Sequence, residues 1–217
     1  MSKKELIKRY AVLVFGLFFA AFGVAVTKQG DLGISPVSSV PNVLGYKFPV
    51  LSLGNWLIVW NCMLILAQVL ILRKSFKPFQ LLQIPVSFLF GYFTDFGRWC
   101  ISSVPTDMYI VQLILTLSGT ALLGLGISLS VIADVIMNPG EAVVKTVANV
   151  TGKNFSTVKI ILDVSYVLFS IVLSMLFFDF KIVGTREGTI IAALFTGVFV
   201  KWFSALLTKP VTELIRK

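Results

Sequence analysis

The stretch DVIMNPGEAVV, Asp134 to Val144, follows twenty-six residues without a charge, Met108 to Ala133. A run that long and apolar reads as a membrane span. A turn tripeptide flanked by two acids at its end therefore needs an explanation. A second stretch, DLGISPVSSV, Asp31 to Val40, supplies one. Both read Asp, three residues, Ser or Asn, then Pro. Ser and Asn are favoured helix N-caps, and Pro fits the first helical position. Each stretch thus predicts a short helix that begins at Pro36 or Pro139. The residue before a proline is biased away from helix, so a non-helical segment precedes each one. Non-helical backbone at membrane depth is tolerated only where protein or water covers it. The two pieces are expected to dip inward from opposite sides, presenting N–H groups that have no intrahelical partner.

The resemblance extends beyond these stretches. At an offset of 103, Gly16 falls on Gly119, Gly23 on Gly126, Asp31 on Asp134, Ser35 on Asn138, Pro36 on Pro139 and Val40 on Val143. After three further residues the match resumes, with Ile84 on Ile190, Gly91 on Gly197 and Phe93 on Phe199. An ordered set at one offset argues for internal duplication, with residues 1–103 as the first repeat and 104–217 as the second. The two form a single membrane domain.

Composition sets the class. Of 217 residues, 57% are hydrophobic and 13% charged, with a mean hydropathy of +0.92. A soluble domain carries about 25% charged residues, so this chain cannot cover itself with a polar surface. It reads as an all-α integral membrane protein. The net charge of +9 is no nucleic-acid signature, because the basic residues cluster between apolar runs, as in membrane loops. The first 27 residues could pass for a signal peptide. The long apolar runs that follow make them a retained first span. Cys62 and Cys100 show no metal-site spacing, and there is no histidine, which removes the commonest general base and metal ligand.

Six spans are expected: Tyr10–Thr27, Leu51–Leu72, Phe79–Phe96, Met108–Ala133, Val158–Phe178 and Gly188–Leu207. Ile34–Tyr46 and Val135–Val150 are too short or too polar to span comfortably. Each repeat holds three spans and one short piece, so the second enters from the opposite side, the inverted topology of many transporters and channels. Charge assigns the sides. Lys3, Lys4, Lys8 and Arg9 share one face with Arg73, Lys74 and Lys77. Lys145, Lys153, Lys159, Lys209, Arg216 and Lys217 join them there. Against these thirteen, the other face holds five: Lys28, Lys47, Arg98, Lys181 and Arg186. Both termini are expected in the cytoplasm of a bacterial inner membrane.

Interrupted segments at matching positions mark binding sites in transporters. The candidate solute-binding residues are therefore Asp31, Ser35 and Pro36 in the first half and Asp134, Asn138, Pro139 and Gly140 in the second. Asp163, in the fifth span, and Asn61, in the second, complete the set. A charge at the centre of a helix costs about 2.5–3.5 kcal/mol on insertion scales, so Asp163 should face the bundle or a wet cavity. Lys159, four residues earlier, could pair with it. Glu141, Lys145 and Asn149 recur at four-residue spacing and read as a solvated face. The glycine pairs Gly16/Gly23 and Gly119/Gly126, a heptad apart, suit close helix approach.

With its paired Asp…Ser/Asn-Pro segments, and the strings FGVAVTKQGDLGISPVSSVPNVL and GLGISLSVIADVIMNPGEAVV, the chain resembles the YczE/YyaS/YitT family of bacterial membrane proteins. The resemblance covers most of the chain. It implies a polytopic inner-membrane protein, usually presumed to transport, and brings no catalytic residues. Asn138-Pro139-Gly140 is also similar to the aquaporin Asn-Pro-Ala box, although the first half has Ser35-Pro36-Val37 instead.

The function expected is transport of a small polar solute, a carboxylate or a zwitterion, through a midplane site between the repeats. Helix N-termini suit anionic groups, and the acids suit protons or Na+ as coupling ions. An aquaporin-like channel and a non-transporting scaffold or regulator are the alternatives. No enzyme activity is expected: there is no histidine and no nucleophile–base pair. No cofactor is called for. The partners expected are the lipid bilayer and the solute, not nucleic acid, with oligomerisation left open.

Overall fold

The computed structural model describes residues 2–216. Met1 and Lys217, the latter counted above among the basic residues of the C-terminus, lie outside the described residues. The described residues form eight α-helices and no strand. Helix α1 is Lys3–Gln29, α2 Pro36–Lys47, α3 Leu53–Leu72, α4 Gln83–Ile101, α5 Tyr109–Ala133, α6 Pro139–Thr151, α7 Phe155–Phe177 and α8 Glu187–Arg216. The all-helical membrane architecture is as expected, and the two short helices begin at Pro36 and Pro139.

Five helices among the described residues are long and apolar enough to cross a membrane: α1, α3, α5, α7 and α8. The expected span at Phe79–Phe96 is displaced. Two short 3-10 turns, ending in Pro78–Leu82, precede α4, which runs on to Ile101 and so takes in Asp95 and Arg98. These charges leave α4 too polar to count by composition. It is held instead by packing along both α1 and α3.

The centre of the bundle is the crossing of α1 with α5. The helices run antiparallel, with Gly16 against Gly126 and Gly23 against Gly119. A Cβ on Gly16 would lie 2.8 Å from the Gly126 carbonyl oxygen, and one on Gly119 2.7 Å from that of Gly23. Only glycine permits backbones this close. The two contacts are mates at the offset of 103 read from the sequence. Their surroundings match too: the Thr27 hydroxyl donates to Gly23 O at 3.2 Å and the Ser130 hydroxyl to Gly126 O at 2.9 Å.

The outer helices follow the same pairing. Helix α4 packs on α1 as α8 packs on α5, α2 packs on α7 as α6 packs on α3, and each short helix also touches the long helix that follows it. Val40 and Val143, again mates, share one buried cluster with Trp60, Leu64 and Tyr166. Three relations break the pattern: α8 touches α1 and α2, whereas α4 makes no comparable contact with their mates α5 and α6. Helices α3 and α4 pack closely, whereas α7 and α8 make no comparable contact.

Candidate functional site

The two proline-initiated helices position the site. Residues 31–35 run inward as non-helical chain, with Asp31 and Gly33 at positive φ, Leu32 and Ile34 fully buried and the Ile34 N–H donating to the Thr189 hydroxyl at 3.2 Å. Helix α2 then returns to the end of the bundle it came from, where the Tyr46 hydroxyl donates to the Asp31 carboxylate at 2.9 Å. The short helices therefore run outward from the middle, and it is the non-helical segments before them that dip in. Helix α6 begins beside α2: a Cβ on Gly140 would lie 3.1 Å from Val37. Two helix N-termini, each with N–H groups lacking intrahelical partners, thus abut in the interior. Neither is capped by its own Ser35 or Asn138 side chain.

A cavity of about 450 Å³ opens where they meet. That lies within the range of small-molecule sites. Ser35, Pro36, Asn61, Asn138, Gly140 and Asp163 line it, so six of the nine residues singled out in the sequence come together there. Pro139 is buried behind this surface. Most of the wall is apolar, with Val24, Leu57, Phe90, Leu123 and Ile127 around the deep end. Within the wall, the Asn61 amide nitrogen and the Asn138 amide oxygen are buried without a hydrogen-bond partner. A buried amide left unpaired costs about 1–3 kcal/mol. Both atoms have almost no accessible surface, so a solute in the cavity pairs with them only when the two side chains turn toward it. The other two such atoms among the described residues, Asn42 Oδ1 and Trp60 Nε1, belong to residues outside the lining.

Asp163 and Lys159 both face the cavity and form an ion pair of 2.6 Å. The local pairing expected from their spacing is present, but it sits on the cavity wall. Glu141 and Lys201 add a second acid and a second base. The sequence placed Glu141 on a solvated face with Lys145 and Asn149; those two are exposed, while Glu141 is half-buried against the cavity. The signal for Glu141 was its place in the first turn after Pro139-Gly140. The signal for Lys201 was a lone base inside the apolar run of α8.

Asp31 and Asp134 do not line the cavity. Both are exposed, just beyond the ends of α1 and α5, in left-handed backbone with φ of 54° and 49°. Asp tolerates that conformation because its short polar side chain can bond locally. They terminate the long helices so that the chain can turn inward. Asp31 also serves a clasp: Lys28 sits 3.6 Å over the Tyr46 ring, and Arg186 donates to the Asp31 carbonyl at 3.2 Å.

The fold and the cavity define a polytopic helical membrane protein with an interior, mostly apolar chamber tipped by a few polar groups. The chain belongs to the family described as "Family of unknown function (DUF6198)", which matches residues 7–205. It is similar to a protein of Bacillus subtilis (strain 168) named "Uncharacterized membrane protein YczE", with 29% identity over 202 residues, covering 92% of this chain and 87% of that relative. This supports the YczE part of the resemblance drawn from the sequence. No solved structure matches the chain.

Proposed function

We propose that the protein transports a small zwitterionic or carboxylate solute through this cavity. The observation that carries the reading is the meeting of the two short helices, N-terminus to N-terminus, at a chamber whose wall holds the unpaired Asn61 and Asn138 amides. Helix N-termini attract negative charge. A carboxylate fits beside them, with the Asn61 amide as a further donor. Asp163 and Glu141 face the same space and suit a cationic amine, or a proton or Na+ that accompanies the solute. The apolar wall suits a modest aliphatic body.

The chain is read as two inverted repeats. The reading is supported by the sequence offset and by the crossing of α1 and α5, where one glycine contact recurs under the same offset in antiparallel helices. The charge bias supports six spans, with α4 as the sixth, both termini in the cytoplasm, and a bacterial inner membrane. The wider kinship with YyaS and YitT proteins rests on the paired Asp…Ser/Asn-Pro segments. We read the protein as a carrier and not an enzyme. The cavity reaches Val131 and Phe155, at the end of α5 and the start of α7, which is the cytoplasmic side in this orientation.

Uptake by the purified protein in proteoliposomes tests the proposal, with labelled amino acids, short carboxylates and neutral polyols as the panel. Saturable uptake of a zwitterion or carboxylate, lost with Asn61→Ala, is expected. Flux that rises linearly with concentration and includes polyols would favour a channel. Intact, reconstituted protein that moves no member of the panel would favour a scaffold.

A further inference from the structure

The largest contact without a mate in the other half is the α3–α4 joint, and its counterpart, α7 and α8, stands apart on either side of the cavity. In the first half, α3 and α4 are sealed. A Cβ on Gly91 would lie 2.6 Å from the Gly54 carbonyl oxygen, and one on Gly54 2.6 Å from the Asp95 carboxylate. Asp95 then fastens the start of α3. Its carboxylate accepts from the Gly54 N–H at 2.9 Å and from the Ser52 hydroxyl at 2.5 Å. An anion on a helix N-terminus is the favourable arrangement.

The equivalent positions in the second half are open. Gly197, the mate of Gly91, has no atom within 4 Å of where its Cβ would be, and it lines the cavity. The start of α7, at Phe155 and Ser156, lines the cavity from the other side. The offset of 106 that pairs Gly91 with Gly197 also pairs Asp95 with Lys201. A lysine cannot accept from the N–H groups of α7, and its charge is repelled by that end of the helix dipole. The same helix-on-helix joint is thus latched by an acid in one half and left unlatched by a base in the other.

We propose that the α3–α4 and α7–α8 joints are the two gates of the cavity, and that they close alternately, with Asp95 as the latch of the first and Lys201 biasing the second to stand open. A cavity bounded by two symmetric joints reaches opposite sides of the membrane when these exchange states. The state in hand has the α3–α4 gate shut. Its counterpart has α7 drawn onto α8 through Gly197, with Asp95 released. The two states then differ by the loss of one charge-assisted latch and the gain of a glycine seam. The transporter reading supplies the purpose of this exchange, but the exchange itself can be observed without any solute.

Disulfide trapping tests it in a background with Cys62→Ser and Cys100→Ser, using the full chain in proteoliposomes and a mild oxidant. The pair Leu57→Cys with Phe90→Cys, from one buried cluster of the α3–α4 joint, leaves Ser52 and Asp95 in place, reports the latched gate and should bridge readily. The pair Phe155→Cys with Val200→Cys, on the α7 and α8 walls of the cavity, leaves Lys201 in place, spans the open gate and should bridge slowly, within one chain. Adding Asp95→Asn to the second pair should speed its bridging about tenfold, the equivalent of one charge-assisted hydrogen bond. Absence of any 155–200 bridge while the 57–90 bridge forms would overturn the proposal, because the second gate would then never close. So would a 155–200 bridge that joins two chains, or a rate that Asp95→Asn leaves unchanged. If the bridges behave as expected and no solute crosses, the transporter reading fails and the gates stand.

Discussion

Asp163 and Lys159 meet at 2.6 Å on the cavity wall, with side chains 15% and 27% exposed. An ion pair in that position can be a structural neutralisation, a binding element, or both. The two roles separate in a pair of variants. Asp163→Asn strands the lysine, and adding Lys159→Gln removes the stranded charge. Uptake is expected to fall at least about tenfold in the single variant and to stay low in the double variant while the folded yield recovers, since one binding contact is worth about 1.4 kcal/mol for each tenfold in affinity. Uptake restored by the double variant would reduce the pair to a structural one.

At the level of helices, glycine placement divides the elements that must touch from those that must part. A Cβ at Gly119 meets the backbone of α1, with Gly23 O at 2.7 Å and Thr27 N at 2.6 Å, whereas one at Gly197 meets nothing. Overpacking a rigid seam costs about 1–3 kcal/mol or more. Gly119→Val should lower the apparent melting temperature by about 5 °C or more. Gly197→Val should leave it nearly unchanged in detergent. Equal melting temperatures would mean that the α1–α5 crossing is looser than the structure has it. The helix starts at Pro36 and Pro139 could be read in the sequence because capping chemistry is local: an N-cap and a proline fix their own neighbourhood. The run of Asp31 and Asp134 was visible too, but its meaning was not. The motif marks where a long helix stops, and only the structure shows, by the positive φ and by the exposure of both acids away from the cavity lining, that the acid is punctuation and not part of the wall. Glu141 was misread for the complementary reason. Its four-residue spacing to Lys145 is a surface pattern, and what surrounds it comes from α1, α5 and α7, helices that the local sequence does not mention. Asp95 went unnoticed because its partner is the backbone of another helix.

Across the whole chain, the pairing of contacts under one offset is what joins the sequence pattern to a function. Two halves that cross at Gly16/Gly126 and Gly23/Gly119 place their broken segments end to end, and the chamber falls at that junction. The central claim is that a solute occupies this chamber during transport, and a cysteine at Thr196, on its wall, reports occupancy. With the native cysteines replaced by serine, uptake and the rate of thiol alkylation at that position can be followed in the same proteoliposomes over a range of solute concentrations. The account predicts that the transported solute slows alkylation and that half-protection and half-maximal uptake fall at the same concentration. A solute that is taken up while alkylation proceeds at its unprotected rate would contradict it.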